Sequence, residues 1–315
     1  MRIVLFGQAA FGQRVLAGLR DSGHDIALVY APAPRGDRAD PLAAEAEKAG
    51  VPLQTPPSYK TPEVEAQVQE AGADVGVLAF VTKIIPQAVI DAPAHGSICF
   101  HPSLLPKYRG GNALAWQLIN GETRGGFTVF WTDPGIDTGP ILLQKEIAIS
   151  PDDTGGSLYF DKIFEPGVDG MVEAVNLIAS GDAPRIVQDE SQATYDPLCK
   201  DEHACVVWDQ PARKVYDLIR GCDPQPGAHA RVGGELVRLY GARLGAATDG
   251  AAPGTVVAIG DDGLQVAAGS GAEAGTLTIA RLRVGKDKLP AAEAATRLAL
   301  DPTTRLANGQ ADQDR

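Results

Sequence analysis

The sequence predicts an α/β protein: a mostly parallel sheet wrapped by helices, followed by a small β-rich domain. Three observations carry this. The first half of the chain alternates apolar, β-branched runs with segments of helical periodicity, as a parallel sheet with crossover helices requires. A polar stretch with Asp189, Glu190, Ser191 and Gln192 then breaks the alternation. Beyond it, short strand-like runs are separated by turn residues such as Gly233-Gly234 and Asp261-Asp262-Gly263, the texture of a β domain.

The elements follow in order. The apolar run Ile3–Phe6 reads as a buried first strand ending at Gly7, not as a signal peptide, because Gly and Gln interrupt it early. Phe11, Val15, Leu16 and Leu19 recur on one face of a helix. Ile26–Tyr30 is a second strand. Pro41–Ala49 is a helix stopped by Gly50. Val75–Phe80 and Ile98–His101 are further buried strands, and Phe127–Trp131 and Ile141–Ile149 complete the sheet. Leu158–Ala179 reads as a long helix, entered at Thr154-Gly155-Gly156 and bent near Pro166. Trp116 fits a helix face against the sheet. Pro211–Arg220 is a helix leading into the second domain, with Trp208 expected at the junction. Val237–Tyr240, Thr255–Ile259, Leu264–Ala267 and Thr276–Leu282 are its strands, expected to form a small OB-like barrel. The expected domains are 1–203 and 204–308, with 309–315 a frayed polar tail.

The chain has 315 residues, enough for two ordinary domains, and no apolar run long enough to cross a bilayer. Its net charge is −12, and the whole excess precedes Val206, after which acids and bases balance. Such a surface repels phosphate backbones, so neither nucleic acid nor membrane is an expected partner. Cys99, Cys199, Cys205 and Cys222 form no CxxC pair, which argues against a zinc site and against a disulfide framework. The expected compartment is reducing and cytoplasmic.

The turn after the first strand, Gly7-Gln8-Ala9-Ala10-Phe11-Gly12, invites a Rossmann reading. Ala9 replaces the central glycine of G-x-G-x-x-G, and the second strand ends Tyr30-Ala31 where an acid for the ribose is needed. NAD is therefore not expected; Gly7 and Gly12 are read as turn and packing residues.

Two segments carry chemistry. In Gly96–Gly111, GSICFHPSLLPKYRGG, a strand ends at His101, where ligands of open α/β sheets bind; a lone histidine capped within a loop is the alternative. In Trp131–Gly139, WTDPGIDTG, Asp133 and Asp137 sit in a Gly-rich turn. Asp133 reads as a turn residue bonding its own backbone.

HPSLLPKYRGG and DPGIDTG together resemble the signature of the formyltetrahydrofolate-dependent formyltransferases and hydrolases. The stretches FGQAAFGQRVLAGLRDSGH, LLQKEIAISPDDT and WDQPARKVYDLIRGCDPQPGA extend the resemblance over almost the whole chain. It is nearest to the N-terminal hydrolase domain of 10-formyltetrahydrofolate dehydrogenase. The resemblance implies that His101 and Asp137 are catalytic and that Lys83, Ile84 and Ile85, with Asp137, contact the folate. It also implies a formyltransferase fold, a C-terminal barrel, and 10-formyltetrahydrofolate as formyl donor, with no metal.

Attack on a formyl carbon creates a tetrahedral oxyanion and requires proton transfers. A protonated His101 suits the oxyanion; Asp137 can hold the ring or the attacking water. Transferases of the family usually carry Asn two residues before the His, where this chain has Cys99. A thiol is a weaker donor than an amide; Cys99 is read as a small buried filler, with a nucleophile as the alternative. Arg109 and Lys107 are read either as partners for the folate tail or as solvated loop charges, and Ser103 as a site donor or a loop hydrogen bond.

The implied activity is removal of the formyl group, to water as formate or to a carrier-protein thiol. N-formyl transfer to a small amine is the alternative. Methionyl-tRNA formylation ranks lower, because it needs a basic surface and the loop Pro34–Asp40 is short and mixed in charge. A folate-binding sensor without catalysis is the non-enzymatic reading.

Overall fold

The structure is a computed structural model that describes residues 1–34, 36–248 and 250–310. Its chain divides into two units. The first comprises Met1–Gly110, Gly126–Ile147 and Phe160–Tyr195; the second comprises Gly111–Gly125, Ala148–Tyr159 and the chain from Asp196 onward.

The first unit is built on β1 (Arg2–Gly7), β2 (Asp25–Tyr30), β3 (Leu53–Gln54), β4 (Val75–Ala79), β5 (Ser97–His101), β7 (Arg124–Trp131) and β8 (Ile141–Ala148). They lie in the order β3-β2-β1-β4-β5-β7-β8. The pairs from β3 to β5 are parallel, and β7 runs antiparallel to β5 with His101 opposite Thr128. This is the mostly parallel sheet expected. It is covered by α1 (Ala9–Asp21), α2 (Pro41–Lys48), α3 (Pro62–Glu70), α4 (Gln87–Asp91) and α7 (Phe164–Ser180).

One sheet face buries Val4, Phe6, Leu28, Tyr30 and Leu78 with Val64 and Val68 of α3. At another buried cluster Phe11 packs on Phe100 at 4.6 Å and Phe100 on Phe127 at 5.6 Å between centroids. Helix α7 comes close there because Gly167 and Gly170 lack side chains; a Cβ would stand 2.7 Å from Phe100 and 2.5 Å from Phe127.

The expected strand Val75–Phe80 ends one residue early. Phe80 takes φ +62° and is 43% exposed, so the chain leaves the sheet there. The irregularity expected near Pro166 takes the form of a π-wound turn at Leu158–Ile163, directly before α7 and preceded by the short α6 (Gly155–Ser157). The winding is continuous there, and Pro166 lacks the N–H for a helical bond to the turn before it.

The second unit contains α5 (Ala113–Ile119), α8 (Ala212–Gly221), β10 (His229–Val232), β11 (Glu235–Gly245), β12 (Val256–Gly260), β13 (Gly263–Ala268), β14 (Gly275–Val284), β15 (Asp287–Pro290) and α9 (Ala291–Arg297). Two-residue strands β6 (Arg109–Gly110) and β9 (Tyr195–Asp196) complete the chain. The sheet is antiparallel in the order β10-β11-β14-β13-β12, with β15 on β14. Its two edges are joined through the segment 304–307. Val256 donates to the Thr304 carbonyl, and Arg231 and Ala307 exchange backbone bonds of 3.1 and 2.9 Å. That stitch turns the sheet into a barrel-like ring, and leaves fewer open edges.

Trp208, expected at a domain junction, is 1% exposed in the core of this unit with Val206, Ile219 and Leu277. Trp116, expected against the main sheet, packs on the same core and donates its indole N–H to the Pro197 carbonyl at 2.7 Å. Of the expected frayed tail, Gly309 is held by its N–H on the Val206 carbonyl at 2.9 Å, and residues 311–315 lie outside the described residues, as does Arg35 of the Pro34–Asp40 loop. Among the described residues no helix is long and apolar enough to cross a membrane.

Candidate active site

His101 is the last residue of β5 and is 6% exposed. The loop after it folds back on the ring, placing the Tyr108 carbonyl 2.7 Å from Nε2. A carbonyl only accepts, so Nε2 carries a proton and donates it. Tyr108 has φ +60°, a region that a β-carbon disfavours. Thr194 steadies it, accepting the Tyr108 N–H on Oγ1 at 2.7 Å and the Arg109 N–H on its carbonyl at 3.0 Å. Thr128 tightens the rest of the loop: its hydroxyl donates to the Ser103 carbonyl at 2.7 Å and accepts from Leu105 N–H and from Gln144 Nε2. Ser103 is fully buried and donates to the Lys107 carbonyl. Of its two readings, the loop hydrogen bond is the one observed.

Asp137 reaches the ring by an indirect route. Because β7 is antiparallel to β5, its end at Trp131 is in register with Ile98, three residues before His101. The connection to β8 must therefore return along the sheet by roughly 10 Å. It does so, and Asp137 Oδ2 stands 3.4 Å from His101 Nδ1 while accepting the Gly110 N–H at 2.8 Å. The 3.4 Å separation exceeds the usual limit of about 3.2 Å for an N–H···O bond, as catalytic contacts often do before substrate arrives. Asp133 Oδ1 accepts from Gly135 N–H at 3.0 Å and Thr138 Oγ1 at 2.6 Å, the turn role expected of it. Gly139 is required here, since a Cβ would fall 1.7 Å from the Trp131 carbonyl oxygen.

Arg109 is neither a solvated charge nor free for a ligand. It is 5% exposed and its guanidinium makes a forked pair with Glu190, at 2.9 and 2.6 Å. Lys107 is exposed. Lys83 donates to the Pro57 carbonyl at 3.0 Å, Ile84 is 72% exposed, and Ile85 is buried in the core beside Tyr59 and Val89.

Cys99 precedes His101 by two residues on β5. Burial, and then the Asp137 carboxylate, push its thiol far above the ordinary range. A raised thiol pKa disfavours the thiolate, which is the reactive species, and this argues against the nucleophile reading. Two outcomes are expected of Cys99: resistance to iodoacetamide at pH 8, checked by peptide mass spectrometry, and activity of Cys99→Ala within about threefold of the parent. A modified Cys99 at that pH would contradict this.

The N-terminus of α1, where a dinucleotide pyrophosphate would sit, already holds a carboxylate. Asp40 accepts the Ala9 N–H at 2.9 and 3.0 Å and also caps α2 through Leu42 N–H. Gly7 and Gly12 pack closely as expected, a Cβ on Gly7 meeting the Ala79 carbonyl at 2.8 Å. Sequence reasoning found His101 and Asp137 but not the Tyr108 carbonyl or Gly110 N–H that hold them. Backbone groups carry no residue signature; the trace the sequence leaves is the glycine at Gly110, which takes positive φ, while Tyr108, also at positive φ, gives no such sign.

Residues 1–175 match the family described as formyl transferase, and residues 199–298 match its C-terminal domain. The chain is 47% identical over 249 residues to the cytosolic 10-formyltetrahydrofolate dehydrogenase of Mus musculus, covering 78% of this chain and 28% of that protein. It therefore spans little more than a quarter of that relative's length. It is 34% identical over 313 residues to the methionyl-tRNA formyltransferase of Geobacter metallireducens, covering 97% of this chain and 98% of that one. Among solved structures, HypX from Aquifex aeolicus in complex with tetrahydrofolic acid shares the fold. Its TM-score is 0.68 at 24% identity, over 95% of this chain and 47% of that one. With a His–Asp pair at the carboxyl edge of a parallel-rich sheet and family matches along both parts of the chain, this protein belongs to the formyl transferase family.

Proposed function

We propose that the chain cleaves the formyl group from 10-formyltetrahydrofolate, giving tetrahydrofolate and formate or passing the formyl group to a carrier-protein thiol. The observation that supports this most is the 3.4 Å approach of His101 Nδ1 and Asp137 Oδ2, together with 47% identity to a 10-formyltetrahydrofolate dehydrogenase. Catalysis is assigned to the region 1–203, with the pterin side contacted by Lys83, Ile84 and the Ile85 backbone in the loop after β4.

In this reading water attacks the formyl carbon while Asp137 takes its proton. The tetrahedral oxyanion is stabilised by the charge and Nδ1–H of His101, whose Nε2–H stays on the Tyr108 carbonyl. The long Nδ1–Oδ2 contact is the one that opens to admit the reacting groups. Collapse breaks the C–N10 bond, and the proton passes to N10 as it leaves. A neutral Cys99 contributes little as an oxyanion donor where an Asn would serve; transferases of the family usually carry that Asn, so its absence favours the hydrolase branch. The four free thiols fit a reducing, cytoplasmic setting.

The test is incubation with 10-formyltetrahydrofolate and no acceptor. Formate and tetrahydrofolate should form, faster with added thiol. Turnover only when a small amine is supplied would replace hydrolysis by N-formyl transfer. The end-to-end 34% match to a methionyl-tRNA formyltransferase makes charged initiator tRNA the second acceptor to try. Tight, salt-sensitive tRNA binding would favour that acceptor in spite of the acidic surface.

A further inference from the structure

We infer that Gln188 is a positioning residue for Asp137, its carboxamide clamping the backbone of the Asp137 loop against His101; the inference rests on the catalytic reading given above. Gln188 is 5% exposed. Its Nε2 donates to the Asp137 carbonyl at 2.9 Å and to the Gly139 carbonyl at 2.7 Å. Its Oε1 accepts from Arg109 Nε at 3.2 Å and Nη2 at 2.8 Å. All four hydrogen-bonding directions of the amide are thus used.

The orientation of that amide is dictated. A guanidinium only donates, so Oε1 must face Arg109 and the two N–H groups must face the loop. Arg109 is fixed in turn by its forked pair with Glu190, geometry that suits arginine and not lysine.

The loop needs such a clamp for two reasons. Asp137 has φ +57°, a left-handed conformation that a β-carbon disfavours, so contacts from neighbours must offset its cost. The loop also leaves the sheet at the far end of β5, with Trp131 opposite Ile98, so strand pairing does not fix where its tip lands. Gln188 supplies that fixing at Asp137's own carbonyl.

One short peptide joins the clamp to both catalytic side chains. Tyr108 offers its carbonyl to His101, Arg109 grips Gln188, and Gly110 donates to Asp137 Oδ2. Thr194 holds the start of that peptide. Segment 188–194 thereby sets the imidazole–carboxylate separation without any of its side chains touching the ring.

Gln188→Leu and Gln188→Glu test this. The first removes both donors; the second keeps an acceptor for Arg109 but loses the donors to the loop. Either should lower kcat on 10-formyltetrahydrofolate by roughly 10²-fold, the cost of a misplacement of about 1 Å, with KM within about threefold. Added to Asp137→Asn, either should cost no more than about threefold further, since a group acting through Asp137 has nothing left to position. Independently of turnover, the His101 ring titration followed by ¹⁵N NMR should move in the same direction in Gln188→Leu as in Asp137→Asn.

Full activity in a folded Gln188 variant, or an equal loss with and without the Asp137 carboxylate, would overturn the inference. If the parent protein itself shows no turnover with any acceptor, the proposed function falls. The NMR arm still decides the inference, an unmoved His101 titration in folded Gln188→Leu counting against it.

Discussion

Replacing His101 with alanine is expected to lower kcat for formyl release by at least about 10²–10⁴-fold, the range of general acid–base catalysis. Asp137→Asn should fall in the same range and is the cleaner probe. The amide keeps the size of the carboxylate and can still accept the Gly110 N–H that now meets Oδ2 at 2.8 Å, but it cannot take a proton or balance an imidazolium. Affinity for tetrahydrofolate should change by less than about threefold in both variants, because the loss falls on the transition state. The double variant should be barely worse than either single one, as for residues that act as a unit. Stopped-flow turnover with parallel folate titration reads all of this. Near-parent activity in Asp137→Asn would remove the carboxylate from the mechanism.

A comparably large effect, on stability instead of rate, is expected at Asp217. Its carboxylate accepts from Arg220 Nε at 2.6 Å and Arg213 Nε at 2.8 Å. The Arg220 side chain is 1% exposed and also donates to the Asp153 carbonyl at 3.2 Å. Asp217→Ala would leave a buried guanidinium without its counter-charge, a loss of about 3–5 kcal/mol. Arg213→Ala removes the other half of the same cluster, but that side chain is 48% exposed, and an exposed pair of this spacing contributes only about 0.3–0.5 kcal/mol. Urea unfolding monitored on the buried Trp208 should separate the two variants widely. Equal midpoints would mean that Arg220 finds other acceptors when the carboxylate is gone.

The strands that reach the core were legible because they are continuous apolar runs. Ile3–Phe6, Ile26–Tyr30 and Ile98–His101 lie within β1, β2 and β5. Helix α1 was legible from its stripe of Phe11, Val15, Leu16 and Leu19, all buried. Helix α3 was not expected, because it buries only Val64 and Val68, too sparse a stripe to stand out. The edge strand β3 pairs through two residues and leaves no pattern at all. Tertiary contacts also overrode local readings: Trp116 looked like a residue facing the main sheet and instead packs on the second unit's core.

At the site, His101 and Asp137 were marked by the resemblance of HPSLLPKYRGG and DPGIDTG to a family signature; by residue type alone, a histidine capped in a loop and an aspartate in a Gly-rich turn were the plainer readings. Their meeting was a different matter. His101 is at the carboxyl end of β5, whereas the strand that leads to Asp137 finishes at the opposite end. Only a folded loop, with Asp137 at φ +57° and Gly110, Gln188 and Gly139 around it, brings the carboxylate back to the ring. Patterning along the chain specifies which segments are buried and which residues can do chemistry, because hydrophobic burial and side-chain type are local properties. Distances between groups on separate segments depend on backbone hydrogen bonds and on buried amides such as Gln188, and those are settled only when the chain is packed.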